Sequence, residues 1–279
     1  MESLALPTSA LEKNLLSYLE RHLGCILKVD RLAGGHQHSW LLETNTERLV
    51  LRLNQQQPCY GLDYQREREV LQQLNHLPWV INMHPLSLNG EFLLYQFQEG
   101  EVVSLTQWQQ PTLWPQLLKV LQQLPSAGKG LPHFDMLKYL QRYVNDISAS
   151  EAASFRRQAL QWIKQQNWPQ QQAFNHHDLH LDNLLLSSEQ KLLVLDWEYA
   201  ATSMQGWDAA SVAQRCPVTA EQRADLIAIS GLNSEQFELL VVAVALLDLA
   251  WYWQYQPQWQ GLHMRSQQWL NAQGLANSI

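Results

Sequence analysis

Two carboxylates and an amide lie close together in the C-terminal half of this chain, and their types and spacing are suited to handling phosphate. Asp178 precedes Asn183 by five residues, and Asp196 follows between two apolar residues, where a carboxylate is costly unless it is paired or metal-bound. In phosphoryl transfer from ATP, one carboxylate orients and deprotonates the attacking hydroxyl group, while an amide oxygen and a second carboxylate hold Mg²⁺ at the phosphates. The pattern therefore predicts that Asp178 is the base and that Asn183 and Asp196 are metal ligands.

The same segment resembles the catalytic segments of a known fold. Protein kinases also place their catalytic Asp five residues before a metal-binding Asn. Here His176-x-Asp178 replaces His-Arg-Asp, and Asp196-Trp197-Glu198 replaces Asp-Phe-Gly. Both changes are similar to the small-molecule branch of that fold, which comprises aminoglycoside phosphotransferases, choline kinases and thiamine kinases. The resemblance implies a bilobal α+β fold with a small antiparallel-sheet N-lobe and a mostly helical C-lobe. It also implies ATP and Mg²⁺ as cofactors, with Glu198 helping to organise the metal.

Two histidines near Asp178 allow two interpretations. In the kinase interpretation His176 packs behind the loop and hydrogen-bonds the backbone in support of Asp178, and His180 lies near the acceptor or the phosphates. The spacing of His176 and His180 could instead place two zinc ligands on one helical face. A zinc site would still need a third ligand and would leave Asn183 and the Asp-Trp-Glu run unexplained, so the kinase interpretation is favoured.

The elements that must position these residues follow the order of a kinase N-lobe. Periodicity and turn signals predict the following elements: a helix over 11–23, strands over 26–32, 40–43 and 48–53, a helix over 63–77, and a strand over 92–97. From Leu105 onward the pattern is mostly helical, and the hairpin after Asp178 is the only clear strand pair. We place the boundary near Gln98. The prediction is a nucleotide-binding N-lobe over 1–98 and, over 99–279, a C-lobe with the catalytic loop and the acceptor-binding helices.

The third strand offers a group for the phosphates of ATP. Kinases use a basic residue there, paired with a helix Glu, and choline-kinase-like and thiamine-kinase-like sequences often have Arg at this place, as Arg52 is here. An inward Arg needs an anionic partner. Glu67 is the predicted partner because it lies four residues before Leu71, on the inward face of its helix. The alternative is that Arg52 is merely exposed at a strand end.

Two further segments are predicted to contact the nucleotide. Gly34 and Gly35 lie between the first two strands, where backbone amides could cover phosphates, although an ordinary hairpin explains them equally well. The segment around Gln96 and Gln98 resembles the family's hinge, where adenine binds the backbone, so these two residues are predicted as positions only. The chain has no Gly-x-x-x-x-Gly-Lys-Ser/Thr motif, which argues against a P-loop enzyme.

A late apolar segment is the candidate acceptor region. A helix is predicted from the capping pattern at Asn233 to about Tyr255. One face of it has a carboxylate and three aromatic rings at the spacing i, i+3, i+4, i+7: Asp248, Trp251, Tyr252 and Tyr255. Such faces bind organic cations through cation–π attraction. The alternative is that these rings belong to the core, as aromatic stripes at helical spacing usually do.

The whole chain most resembles bacterial thiamine kinases, in its length, its His-x-Asp-x-His and Asp-Trp-Glu-Tyr-Ala runs and its late Trp-rich helix. The resemblance implies phosphorylation of thiamine to thiamine monophosphate, since thiamine has a cationic thiazolium ring and a primary hydroxyl group. The alternatives are a choline or ethanolamine kinase, or an aminoglycoside phosphotransferase. Aminoglycosides usually meet an acidic pocket, whereas this region is more aromatic than acidic. A catalytically silent kinase-like binding protein is the non-enzyme alternative.

Composition limits the partners and the compartment. The formal net charge of −7 argues against nucleic acid as the main partner. Cys25, Cys59 and Cys216 are odd in number and widely spaced, which fits free thiols in a reducing cytoplasm better than a disulfide framework. Residues 1–10 lack a signal-peptide pattern. The apolar run 239–255 is shorter than the ~20 residues of a membrane span and is expected to be a buried helix. We therefore expect a cytoplasmic protein without a membrane partner.

Overall fold

The computed structural model of the protein describes residues 10–32, 38–54, 61–87 and 91–275. In chain order its helices and strands are as follows: α1 (Ala10–Leu23), β1 (Ile26–Arg31), β2 (His38–Thr44), β3 (Arg48–Leu53), α2 (Tyr64–Leu74), β4 (Phe92–Gln96), β5 (Gly100–Val102), α3 (Leu105–Trp108), α4 (Leu113–Ala127), α5 (Met136–Asn145), α6 (Ala153–Gln165), β6 (Gln172–Asn175), β7 (Leu184–Ser187), β8 (Leu192–Val194), β9 (Ala201–Met204), α7 (Trp207–Arg215), α8 (Ala220–Ser230), α9 (Ser234–Tyr255) and α10 (Leu262–Ala272). Short 3₁₀ turns lie at Ser150–Ala152, Leu181–Asn183 and Trp197–Tyr199.

The chain forms two compact units. The first consists of Met1–Leu113 and Asp182–Tyr199, and the second of Trp114–Leu181 and Ala200–Ile279. The chain therefore passes from the second unit into the first at Leu181, between Asp178 and Asn183, and returns after the Asp-Trp-Glu run. The lobe boundary between residues 98 and 99 stays a prediction. The first compact unit extends past it to Leu113 and also includes Asp182–Tyr199.

The first unit contains a four-stranded antiparallel sheet, in the order β1-β2-β3-β4. Successive side chains of a strand point to opposite faces. Leu49 and Leu51 of β3 therefore pack in one cluster with Leu19 of α1, whereas Arg52 points to the other face. The predicted elements are present here with small shifts at their ends. Helix α2 begins after Asp63, whose side chain accepts a hydrogen bond from the Arg66 amide at 3.0 Å.

The predicted hairpin after Asp178 is confirmed as β7 and β8, which belong to a second sheet of the first unit with the order β5-β7-β8. The expectation that this hairpin is the only strand pair after Leu105 is wrong, because β6 pairs with β9 in the second unit. Each of these strands has four residues. That length is too short to show a period-two pattern, and the two strands meet only through tertiary contact.

The long apolar helix α9 is the centre of the second unit. Its N-cap, Asn233, accepts a hydrogen bond from the Gln236 amide at 2.9 Å, as the sequence predicts. It has 22 residues, so the expectation that the run is too short for a membrane span is wrong. By length and composition this is the one helix of the described chain that could cross a membrane, yet 56% of its apolar window is buried. Helices α5, α7 and α10 pack against α9, which confirms the prediction of a buried helix. The cytoplasmic location stays a prediction.

Two of the three cysteines lie within the described residues. Cys25 is exposed and Cys216 is buried, and neither is in a disulfide. Cys59 lies outside the described residues.

Candidate active site

A buried arginine connects β3 to α2 and to the Asp-Trp-Glu run. Arg52 forms an ion pair with Glu67, and its Nη1 also donates to Asp196 Oδ1 at 3.0 Å. Its side chain is only 5% exposed, so the alternative of an exposed strand end is wrong. Burial acts to lower the pKa of Arg52, but the charge of Glu67, together with smaller contributions from Tyr95, Asp196 and Glu198, outweighs burial and raises the pKa. A permanently charged guanidinium is suited to binding phosphate oxygens.

The β7–β8 hairpin brings the predicted metal ligands Asn183 and Asp196 together at its open end. Asn183 directly precedes β7 and Asp196 follows β8 by two residues, and the Leu195 amide donates to the Asn183 carbonyl oxygen at 2.9 Å. Asp196 has a φ of 59°, in the left-handed region that a residue other than glycine rarely adopts. Such strain concentrates at functional sites, where the surrounding structure maintains it.

The turn after Asp196 is held by a second buried arginine. Arg66 of α2 donates from Nη2 to the carbonyl oxygens of Gly61 and Glu198, the latter at 3.2 Å. The Glu198 carboxylate is largely buried and lies 4.0 Å from Arg52 Nη1. Helix α2 therefore holds this segment through two arginines, directly through Arg66 and indirectly through the Glu67–Arg52 pair.

The chemistry of this donor set fits Mg²⁺. The cation prefers hard oxygen ligands, and proteins usually supply one or two carboxylates while substrate phosphates and water complete the shell. Asn183, Asp196 and Glu198 offer amide and carboxylate oxygens of that kind. Within the described ranges no three His, Cys, Asp or Glu side chains cluster as a metal site.

The loop that contains Asp178 lies in the second unit, and two of its three histidines contact that residue. The Asp178 amide lies 3.3 Å from His176 Nδ1, and His176 is completely buried. His180 Nε2 lies 3.5 Å from Asp178 Oδ2. Between them, His177 has a φ of 70° and its ring hydrogen-bonds the Ser203 hydroxyl group. The structure thus places His176 and His180 around the predicted base. The zinc interpretation requires a helix here, and the segment is not helical.

Asp208 fixes the backbone of this loop. Its two oxygens accept hydrogen bonds from the amides of His176 and His177 at 2.6 and 2.9 Å. Asp208 is not the N-cap of α7, because Gly206 occupies that position. Burial raises the pKa of Asp208 to about 7, against the opposing effect of the two amide hydrogen bonds. The strained His177 is therefore held by a buried carboxyl group on the next helix.

Sequence reasoning missed Arg215, the last residue of α7. Its Nη1 donates to Asp178 Oδ1 at 2.8 Å, while Nη2 and Nε donate to Asp248 Oδ1 at 2.7 and 3.0 Å. Burial acts to raise the pKa of Asp178, but the His180 hydrogen bond and the charge of Arg215 outweigh it and hold the pKa well below its usual range. No motif marks Arg215, because its partners are 37 and 33 residues away in the sequence.

The predicted aromatic face lies beside this arginine on α9, and its rings are not core residues. Trp251 contacts Tyr252 edge-on and Tyr255 at a tilt, with centroids 5.3 and 5.4 Å apart. Tyr252 stacks on Trp259, and Tyr255 is 46% exposed. Among the aromatic residues at this end of the helix, Trp253 lies in the core and is 2% exposed. Asp248, at the edge of the face, is paired with Arg215.

The remaining predicted nucleotide positions lie in the first unit. Gln96 ends β4, and its amide donates to the Asn82 carbonyl oxygen at 3.0 Å. Gln98 lies two residues later, before β5. Gly34 and Gly35 lie outside the described residues. The roles of all four in nucleotide binding stay predictions.

The chain matches one protein family and is similar in structure to several kinases and phosphotransferases. Residues 28–240 match the model of a family described as "Phosphotransferase enzyme family". A choline kinase, LicA, from Streptococcus pneumoniae superposes with a TM-score of 0.75 at 18% identity, over 96% of this chain and 99% of that one. A Plasmodium vivax ethanolamine kinase superposes with a TM-score of 0.66 at 13% identity, over 95% of this chain and 88% of that one. A spectinomycin phosphotransferase in complex with ADP and spectinomycin superposes with a TM-score of 0.64 at 17% identity, over 95% of this chain and 94% of that one. The curated proteins gave no match. These likenesses confirm the predicted kinase-like α+β fold.

Proposed function

Since this chain belongs to the phosphotransferase enzyme family, we propose that it is an ATP- and Mg²⁺-dependent kinase whose acceptor is a hydroxyl group of a small organic cation, with thiamine as the first candidate. The observation that carries the proposal is the state of Asp178. Its carboxylate is partly exposed, is contacted by His180 and Arg215, and has a pKa below its usual range. Such a group stays ionised at neutral pH and can orient a hydroxyl group.

In the proposed reaction the acceptor oxygen attacks the γ-phosphorus of ATP. A bond from that oxygen to phosphorus forms, the bond to the β–γ bridging oxygen breaks, and ADP leaves with the electron pair. The hydroxyl proton passes toward Asp178 and then to solvent. Because the pKa of Asp178 is low, its main contribution is to orient the hydroxyl group, and it takes up the proton only late in the reaction.

The nucleotide side of the reaction is assigned to the first unit. Asn183 and Asp196 would hold Mg²⁺, which neutralises phosphate charge when bound, and Glu198 would support that end of the site. Arg52, kept in place by Glu67, would bind the α- and β-phosphates. Gly34, Gly35, Gln96 and Gln98 remain the proposed backbone contacts of the nucleotide.

The aromatic face of α9 supports a cationic acceptor. Aromatic rings attract a quaternary cation without needing a hydrogen-bond donor from it. Thiamine has such a cation and a primary hydroxyl group, as does choline, which is the second candidate together with ethanolamine. The pairing of Asp248 with Arg215 disfavours aminoglycosides, because several ammonium groups call for carboxylates whose charge is not already offset.

Phosphorylation of thiamine, choline, ethanolamine and aminoglycosides, each with Mg·ATP, tests the proposal. We expect acceptor-dependent ADP formation, with the highest kcat/KM for thiamine and a phosphomonoester product. An enzyme that accepts only aminoglycosides would contradict the choice of acceptor. Nucleotide binding without turnover of any acceptor would instead support a catalytically silent binding protein.

A substitution at Trp251 tests the cation face. Leucine retains much of the apolar contact but loses the ring quadrupole, so Trp251→Leu should raise the KM of the acceptor and leave the KM of ATP unchanged. A loss of up to ~2 kcal/mol corresponds to roughly thirtyfold weaker acceptor binding. Trp253→Leu is the matched control on the same helix, because Trp253 is a core residue. It should lower Tm without changing either KM, and the same result for Trp251→Leu would refute the cation face.

A further inference from the structure

We infer that Arg215 is the positioning residue of this enzyme: it fixes the catalytic carboxylate Asp178 and ties it, through Asp248, to the helix that carries the acceptor face. The inference rests on the proposed function, since it gives Arg215 a task in transfer to a hydroxyl group. It goes beyond that function because neither the motif around Asp178 nor the aromatic face includes α7 or its last residue.

The geometry of the guanidinium group is the first argument. One edge of it, Nε and Nη2, faces Asp248 in a side-on pair, while Nη1 faces Asp178. Arginine presents five donors in a rigid planar fork, so one side chain can hold two carboxylates at a fixed separation. A lysine ammonium group is a point charge on a flexible stem and would not fix that orientation.

The carboxylate of Asp178 is held at both oxygens. Oδ1 accepts from Arg215 at 2.8 Å, and Oδ2 lies 3.5 Å from His180. Rotation of this carboxylate about its Cβ–Cγ bond would disturb both contacts. Because Oδ2 has the longer contact, we expect it to be the oxygen that receives the acceptor hydroxyl group.

The charge balance of the cluster is the second argument. Asp178 and Asp248 would repel each other if both were ionised without a cation between them, because two carboxylates near one site disfavour a second negative charge. Arg215 is 15% exposed, and although burial acts to lower its pKa, the charges of Asp248 and Asp178 raise it. The guanidinium group therefore lets both acids stay ionised. Asp178, Asp248 and Arg215 together then have a net charge of −1. That charge suits a singly charged acceptor cation.

Helix α7 holds the catalytic loop at two places. Asp208 in its first turn binds the loop backbone, and Arg215 at its end binds the Asp178 side chain. The two residues are seven positions apart, which is close to two helical turns, so they share one face of α7. The loop is consequently fixed both in its strained backbone and in the rotamer of its catalytic side chain.

The test is steady-state kinetics of Arg215→Met, which keeps much of the side-chain length and removes the charge. We expect kcat to fall about 10²-fold, the scale of a misplaced catalytic group, while the KM and Kd of ATP stay at wild-type values. Arg223→Met is the matched control, because Arg223 is an arginine of the same unit that forms a surface ion pair with Glu238. It should leave kcat, KM and Tm unchanged.

Chemical rescue separates positioning from a structural role. In Arg215→Ala, added guanidinium ion should enter the vacated space and restore part of kcat, with no such gain in Asp178→Ala. A kcat of Arg215→Met close to wild type would overturn the inference, as would a loss of kcat that guanidinium does not restore. If the wild-type enzyme phosphorylates none of the four acceptor classes, the proposed acceptor fails but Arg215 can still be judged. Slow ATP hydrolysis, with water as the acceptor, then supplies the rate, and the same fall and rescue are expected.

Discussion

Replacement of Asp178 by alanine is expected to abolish phosphoryl transfer while nucleotide binding stays nearly intact. Asp178 lies on a loop of the second unit and contacts two histidines and Arg215, whereas the proposed nucleotide groups belong to the first unit. Loss of a group that orients and deprotonates the nucleophile costs ~10²–10⁴-fold in rate. Steady-state kcat with the best acceptor and the Kd of Mg·ATP from titration calorimetry measure the two effects separately.

The isosteric variant Asp178→Asn separates charge from shape. Asparagine can still accept a hydrogen bond from Arg215, but it has no charge with which to orient the hydroxyl group strongly and cannot take up a proton, so its kcat should be nearly as low as that of the alanine variant. A residual rate above about a tenth of wild type in Asp178→Ala would exclude Asp178 as the residue that positions the hydroxyl group, given the size of such contributions.

Replacement of Asp196 by alanine should have the second large effect, a loss of magnesium-dependent ATP binding. A carboxylate is one of the few protein ligands that Mg²⁺ would have here, and this one also accepts from Arg52 at 3.0 Å. We expect saturation with Mg·ATP to be lost, together with most of the stabilisation of Tm that Mg·ATP gives the wild-type protein. Titrations of ATP with and without Mg²⁺ measure this directly.

Glu189→Ala is the matched control for Asp196→Ala. Glu189 lies at the turn of the same β7–β8 hairpin, and its side chain is exposed and paired with Lys191. Its removal should change neither the Kd of Mg·ATP nor kcat. If Asp196→Ala bound Mg·ATP as tightly as this control does, the assignment of Asp196 as a metal ligand would fail.

The sequence by itself predicted the four strands of the larger sheet and the helices α1 and α2, together with the pair of Arg52 and Glu67. Strand alternation in β3 and helical periodicity in α2 place Arg52 and Glu67 on facing sides, and their ion pair is confirmed. These positions could be predicted because each depends on a local repeat, two residues in a strand and 3.6 in a helix, and a buried arginine requires an acid. The spacing of Asp178 and Asn183 could likewise be recognised in the sequence, because it is a short-range pattern.

Only the tertiary structure decided how Asp178 is held. Arg215 and Asp208 contact the catalytic loop from α7, at sequence separations of 37, 32 and 31 residues. The sequence also left undecided the pairing of β6 with β9 and the partial exposure of the aromatic face of α9. No local period records such contacts, because they arise from which helix and which strand pack together. An Arg at a helix end or an Asp in a first turn has the same local preferences whether it faces solvent or a catalytic loop.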